Sequence, residues 1–478
     1  MERSRDGRFR TMVAACLGWF ACSTAPPESG SSATEVVLEG IAIGDAARFV
    51  VSPAECTTLD ATPDGRFVHI ACPVDVPRGT GDAFVSSVAV VRHDTESETL
   101  FVESSATDLG GGEITDVAVA SDGSFSIVNI REDDVNRINC LLVLRDGQVG
   151  QKIDLKARAD GIGLSPDDRL LVVAVEKGAA IEIYDTSEAA RSIVLAAVVD
   201  RKAMLPYFDS EEARLERDDI EPESVAFSAD GRLALVSLQE QSSVALVSLE
   251  KVIGARTREG GSTQAPEDVG ALSLEGVVHL PFGFKNDRGR LIGVEPDGLS
   301  VSPDGTFAVT ANEASTHTLQ GISVIDLRNG ASRVPEPLTF CIFDIDPSLL
   351  DGTGIGAADA CRAEKGRPPP AYHDSIPRVD PNNTVIVERG GRIIAAINIE
   401  RAANERRQSG SVLFVDMDGV LDEGAKPAFL ARKVVSPNGG ARPEGLKKSN
   451  GGRFVWTANQ RDGGSLSRFE IAETVANP

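Results

Sequence analysis

Seven times along this chain an apolar run meets a tight turn, usually containing Asp-Gly, and is followed at once by a second apolar run. The copies begin at Thr57, Thr115, Asp160, Glu223, Asp297, Asn383 and Glu444, and DGLSVSPDGTFAVTAN from Asp297 shows the pattern well. Gly accepts a positive φ and Asp bonds its own backbone, so each copy carries the composition of a tight β-hairpin. Further apolar runs follow several copies, as in SSVALVSLE, GISVIDL and GSVLFVDM. A unit of three or four antiparallel strands repeated at uneven spacing does not make a solenoid.

The pattern instead predicts an all-β chain folded as a seven-bladed β-propeller. The last copy runs out at Ile471 with three strands, while EVVLEGIAI (35–43) precedes the first. That N-terminal strand is expected to join the last blade and close the ring. The whole of 35–478 is therefore read as one propeller, with long loop insertions at 186–220, 250–294, 328–378 and 418–441.

At the N-terminus, MERSRDGRFR is basic, TMVAACLGWFA is apolar, and Cys22 opens a small, polar stretch. This order predicts an export signal over 1–22 and a flexible tether over 23–34. The Ala21-Cys22 junction resembles a bacterial lipoprotein cleavage site, which implies lipidation of Cys22. The expectation is an outer-membrane or cell-surface lipoprotein, or a periplasmic or secreted protein if Cys22 is not acylated. No later run is apolar enough to span a bilayer, so a membrane link would come only through the lipid.

A net charge of -24 and a pI near 4.7 argue against nucleic acid as a partner. In an exported chain Cys56 with Cys72, and Cys341 with Cys361, are plausible disulfides that leave Cys140 over. Scattered histidines and the lack of C-x-x-C spacing give no support to haem or zinc, and no nucleotide motif sits in its proper context.

Aligning the copies on the residue after the turn exposes two polar columns. Nine positions earlier stand Thr57, Thr115, Asp160, Glu223, Asp297, Asn383 and Glu444. Seven positions later stand Pro73, Arg131, Glu176, Gln239, Glu313, Ile399 and Gln460. The start of one hairpin strand lies beside the end of the next, so both columns should meet at one mouth of the central channel. Carboxylates about 8 Å apart repel by roughly 2 kcal/mol at an effective dielectric near 20. Water, a protonated acid, Arg131 or a hard cation such as Ca²⁺ would relieve that repulsion. The expected metal ligands are Asp160, Glu223, Asp297 and Glu444. The expected ligand-binding residues are Glu176, Gln239, Glu240, Asn312, Glu313, Asn459 and Gln460.

The segment 413–424, LFVDMDGVLDEG, matches the nucleophile motif of haloacid dehalogenase-like phosphatases. It falls on the outer strand expected of a blade, so the motif lacks its proper fold.

Glu221-Pro222-Glu223 with Gln239-Glu240-Gln241, Gly283 to Lys285, and Asn312-Glu313 together resemble the choice-of-anchor I family of extracellular propellers. The remainder resembles YVTN and amine-dehydrogenase-like propellers. The resemblance implies a surface-anchored seven-bladed ring and little chemistry. Where an acidic Gly-Asp pair usually follows Asn-Glu, this chain has Ala314-Ser315. The expectation is a monomeric binding module for a protein, small-molecule or glycan ligand, acting through an acidic, loop-decorated face with Ca²⁺. The alternative is a metal-assisted phosphoesterase or lactonase at the same mouth.

Overall fold

In the computed structural model the chain is described over 41–50, 56–75, 84–94, 99–106, 109, 112–131, 139–188, 192–208, 220–256, 265–280, 284–285, 291–292, 294–313, 320–330, 334–351, 356–361, 379–401, 410–435, 441–460 and 464–473. The export signal, Cys22, the tether and 35–40 lie outside these residues. Six four-stranded antiparallel sheets and a seventh closed by N-terminal strands form a seven-bladed β-propeller. The innermost strands begin the blades in order: Thr58–Ala61, Glu113–Val119, Ile162–Leu164, Pro222–Phe227, Glu295–Val301, Pro381–Arg389 and Arg442–Ser449. Blade 7 is completed by Ile41–Ile43 and Ala47–Val50, both antiparallel to Ser465–Glu473. Ring closure is therefore as the sequence predicts.

The recurrent turn folds itself. In blades 1, 3, 4 and 5 the hydroxyl of Thr62, Ser165, Ser228 or Ser302 donates to the Asp two residues on, at 2.6 to 2.7 Å. The same oxygen accepts the backbone N–H five residues on, at 3.0 to 3.1 Å. The Asp carboxylate then accepts the N–H of the first residue past the turn. Blade 3 has Asp168 at the left-handed position that Gly65, Gly231 and Gly305 fill elsewhere. Its carboxylate reaches the neighbouring blade and accepts from Ser121 N at 2.9 Å.

The long connections are less loop-like than the sequence suggests. Each contains its blade's fourth strand: Val194–Val199, Leu274–His279, Leu338–Cys341 and Ala428–Val434. No two-residue Asp-Gly hairpin turn joins these strands to the third strands, because longer and more varied connections lead into them. The phosphatase-like motif consequently lies on a third strand, Ser411–Asp416, and not on the outermost one. There Asp416 pairs with Arg392 at 2.6 Å, and Asp418 accepts from Ile393 N at 3.1 Å. Both acids are occupied with folding.

Strand direction also divides the decoration between two faces. Helices after a fourth strand, at Arg201–Met204 and Ile342–Ile345, stand on the face where innermost strands begin. Helices between third and fourth strands, at Leu249–Arg256, Pro266–Ser273 and Val420–Glu423, stand on the turn face. The expectation of a single loop-decorated, acidic face is thus corrected: the long connections decorate both faces. The Cys341–Cys361 bond clasps a mouth-side insertion whose Ile342, Phe343 and Leu349 are buried. Cys56 and Cys72 are joined across the first hairpin, and Cys140 is buried outside either bond.

Candidate functional site

Five of the seven innermost strands start with the same irregularity. In blade 4, Pro222 faces Leu238 and Val225 faces Val236, so the inner strand carries one residue more than its partner. Blades 2, 5, 6 and 7 repeat this bulge at Thr115, Asp297-Gly298, Asn382-Asn383 and Glu444-Gly445. A bulge rotates a side chain out of strand alternation. In those five blades it turns the polar residue toward the axis, and all seven members of the first column line one central cavity of about 620 Å³.

Close packing between blades fixes the bulges. A Cβ on Gly298 would stand 2.4 Å from Asn383 Cα, so the inner strands of blades 5 and 6 touch where that side chain is missing. Polar side chains of second strands then hold the next blade's bulge carbonyl. Ser237 donates to Asp297 O at 3.1 Å, and Asn398 donates to Glu444 O at 2.9 Å.

Of the second column, Arg131, Gln239, Glu313 and Gln460 line the same cavity. Glu176 stands behind Asp160, and their carboxylate oxygens lie within 4.8 Å of each other and of Glu223's. Asn312 and Asn459 do not reach the mouth. They alternate away from their neighbours Glu313 and Gln460 and turn into their own blades. Asn312 donates to Ser323 Oγ at 2.9 Å, and Asn459 donates to Ser467 Oγ at 2.8 Å. Glu240 lies on the short 3₁₀ turn Gln239–Gln241, and Pro73 and Ile399 offer no polar group.

Charge is distributed unevenly around the mouth. Asp160 meets Arg131 and Arg158, each at 3.4 Å, while Glu176 meets Arg158 at 2.5 Å and Lys177 at 2.6 Å. A second acidic group, Glu313, Asp380 and Glu400, is flanked by Arg401 at 2.7 Å from Asp380 and Arg442 at 2.9 Å from Glu400. Among the described residues, the carboxyl groups of Glu223, Asp297 and Glu444 make no hydrogen bond or ion pair.

These three are the most perturbed acids. Burial and the charges of Asp160 and Asp297 push Glu223 up to about 10. Burial, then Glu400 and Glu313, push Glu444 up to about 8, and burial with Glu313 and Glu444 holds Asp297 well above the carboxylate range. Burial, with Asp160 beside it, raises Glu176 to about 7. Arg442 offsets this only in part at Glu444, so the ring attracts further positive charge.

Deeper in the channel lies an ion group that the columns do not include. Asp60 accepts from Val119 N at 2.8 Å and Asp116 from Ile162 N at 2.9 Å, so each clamps the next blade. Lys447 stands 3.9 Å from Asp60. Burial alone would lower its ammonium, but the charges of Asp60 and Asp116 outweigh burial and leave it raised. The visible signal was Lys447-Lys448 at positions where the other copies are mostly apolar. Replacing Lys447 with Met should destabilise the protein by about 1–3 kcal/mol, because two enclosed carboxylates lose their nearest cation. Adding Asp60→Asn should recover part of that loss. A denaturant midpoint unchanged by Lys447→Met would show the group to be energetically idle.

Ser243 Oγ lies 2.9 Å from His279 Nδ1, but Ser243 is fully buried and His279 Nε2 faces Tyr207 O at 3.0 Å. The buried hydroxyl is thus closed to substrate, and among the described residues no acid supports the imidazole. The pair ties a mouth-side helical turn to blade 4.

No protein-family model matches the chain, and no curated protein is similar to it in sequence. Solved structures with the same fold are similar. The β-propeller domain of Cps50 (Swd1) from Myceliophteria thermophila superposes with a TM-score of 0.52 at 10% identity, covering 90% of this chain and 100% of that one. Hydrazine synthase of Kuenenia stuttgartiensis gives 0.52 at 15% identity, covering 89% and 97%. At such identities the likeness is one of fold alone.

Proposed function

We propose that this propeller is a binding module that works through its acidic channel mouth, taking up a hard divalent cation such as Ca²⁺ and presenting the charged ring to a protein, glycan or small-molecule ligand. One observation carries the reading: Glu223, Asp297 and Glu444 converge on one cavity and, among the described residues, their carboxyl groups have no ion pair or hydrogen-bond donor, the charge of Arg442 near Glu444 being outweighed by burial and the neighbouring acids. A ring built to be inert would be expected to pair or dilute such charges, as Arg131 and Arg158 do for Asp160. The cavity's size falls in the range of small-ligand sites. The Arg-rich start, apolar stretch and Cys22 support placing the module outside the cytoplasm on a lipid anchor. Its resemblance to choice-of-anchor I propellers fits that placement.

Calorimetric titration of Ca²⁺ into the parent protein and into the triple variant Glu223→Gln/Asp297→Asn/Glu444→Gln tests the reading. Saturable heat in the parent and none in the variant is expected; identical heats would sink it. Turnover of phosphomonoesters, phosphodiesters or lactones that requires metal and disappears in Glu223→Gln would replace a binding role with hydrolysis.

A further inference from the structure

We infer that the cation is held at the seam of blades 5, 6 and 7, by Asp297 and Glu444 together with two neutral oxygens, Asn382 Oδ1 and Thr384 Oγ1, and that the ion is Ca²⁺. The inference rests on the mouth being a cation-binding face and says where on that face the ion sits.

Thr384 is 1% exposed, lines the cavity, and its hydroxyl has no hydrogen-bond partner. Asn382 is 7% exposed and lines the same cavity. Its Nδ2 donates to Pro443 O at 3.5 Å, and its Oδ1 is left without a partner. A buried polar oxygen without a donor costs about 1–3 kcal/mol, so an orphaned hydroxyl and an orphaned amide oxygen on one inner strand call for a ligand.

Their neighbours supply the charge. The close approach at Gly298 lays Asn382 and Asn383 against Asp297's strand. The Pro443 contact lays Asn382 beside the residue that precedes Glu444. Two carboxylates, an amide oxygen and a hydroxyl are hard donors, and Ca²⁺ accepts six to eight such oxygens in irregular geometry, with water completing the shell. Mg²⁺ demands a stricter octahedron and gives up water reluctantly. The opposite arc is a poorer site because Asp160 and Glu176 already hold Arg131, Arg158 and Lys177.

The test is Ca²⁺ calorimetry on the full chain, with Tb³⁺ luminescence as a second reading of the same site. Thr384→Val should weaken Ca²⁺ at least about tenfold. In EDTA its thermal midpoint should be unchanged or higher, since a methyl replaces an unsatisfied hydroxyl. Thr384→Ser should restore binding. Asp160→Asn should cost less affinity than Asp297→Asn, because Asp160 reaches the ion only through its charge. Parental affinity in Thr384→Val, or an Asp160→Asn loss as large as that of Asp297→Asn, would overturn the assignment. Ca²⁺ heat that survives in Asp297→Asn/Glu444→Gln but vanishes with Glu223→Gln added would move the ion along the ring, leaving the broader reading intact. Saturable binding of a linear diamine with none of Ca²⁺ would overturn the metal site and the cation part of the proposed function with it.

Discussion

Replacing Gly161 with alanine is expected to leave little folded protein. Its Cβ would stand 2.0 Å from the carbonyl oxygen of Glu223 and 3.1 Å from Ser224 Cα. Both contacts are backbone of the next blade's bulge, so no side chain can swing aside. Relief would require blades 3 and 4 to separate, and the ring geometry ties that movement to every other blade. A loss of more than about 4 kcal/mol, or failure to accumulate soluble protein, is the expected result. Gly305→Ala is the control. That residue has φ +73° but nothing within 4 Å of the added carbon, so its cost should be about 1 kcal/mol, from backbone strain alone. Similar denaturant midpoints for the two variants would show that the inter-blade contact is not as tight as described.

That contrast also explains what could be read from the residues. The turn glycines made the repeat visible because a left-handed φ restricts the choice of residue strongly and locally. Gly161 and Gly298 follow acids of the polar column, and the sequence shows them only as part of an Asp-Gly pair. Their reason lies in the neighbouring blade, which no local pattern reveals. The column itself was legible because hairpin geometry fixes where a strand begins relative to its turn. Asn312 and Asn459 were misplaced because strand alternation sends adjacent polar residues to opposite sides.

Charge pairing was the least legible part of the site. Arg158, Asp380 and Arg401 come from strand ends and connections whose lengths differ from blade to blade, so they occupy no column. Without them the acids look equivalent. With them Asp160 and Glu176 are compensated while Glu223, Asp297 and Glu444 are not. The fourth strands of blades 3 to 6 were hidden for a related reason: they follow helices or long segments rather than a two-residue turn like Asp146-Gly147 of blade 2.

Between about pH 6.5 and pH 8 the protein should become less stable as pH rises; below that window His69, which burial lowers to about 4, opposes the trend because the unfolded chain binds its proton first. Carboxyls whose pKa is raised on folding hold protons that the unfolded chain has released, and linkage then makes stability fall with pH through that window. Glu223 at about 10 and Glu444 at about 8 lie above the ordinary 4.5, and Asp297 is displaced in the same direction from 3.8. Their stabilising contribution is complete below the unfolded value and is lost as each folded-state value is passed. A tenfold change in proton affinity on folding corresponds to about 1.4 kcal/mol, but channel water screens these groups, so the combined loss should be about 3 kcal/mol and not their simple sum. The turn acids oppose this trend only in the acid range. Asp122 and Asp230 are lowered by hydrogen bonds from the turn, Ser124 foremost for the first and Ser228 for the second, so their contribution disappears as pH falls below about 4. Burial lowers Lys448 to about 8, so above that pH the folded chain binds fewer protons at this site and the slope there is offset. Glu223→Gln/Asp297→Asn/Glu444→Gln should flatten the profile and exceed the parent in thermal midpoint at pH 8. Saturating Ca²⁺ should flatten the parent's profile in the same way, since an ion replaces the protons. A parental midpoint that stays level or climbs from pH 6.5 to pH 8 without metal would mean that the ring's repulsion is already relieved, which would remove the reason for it to bind a cation.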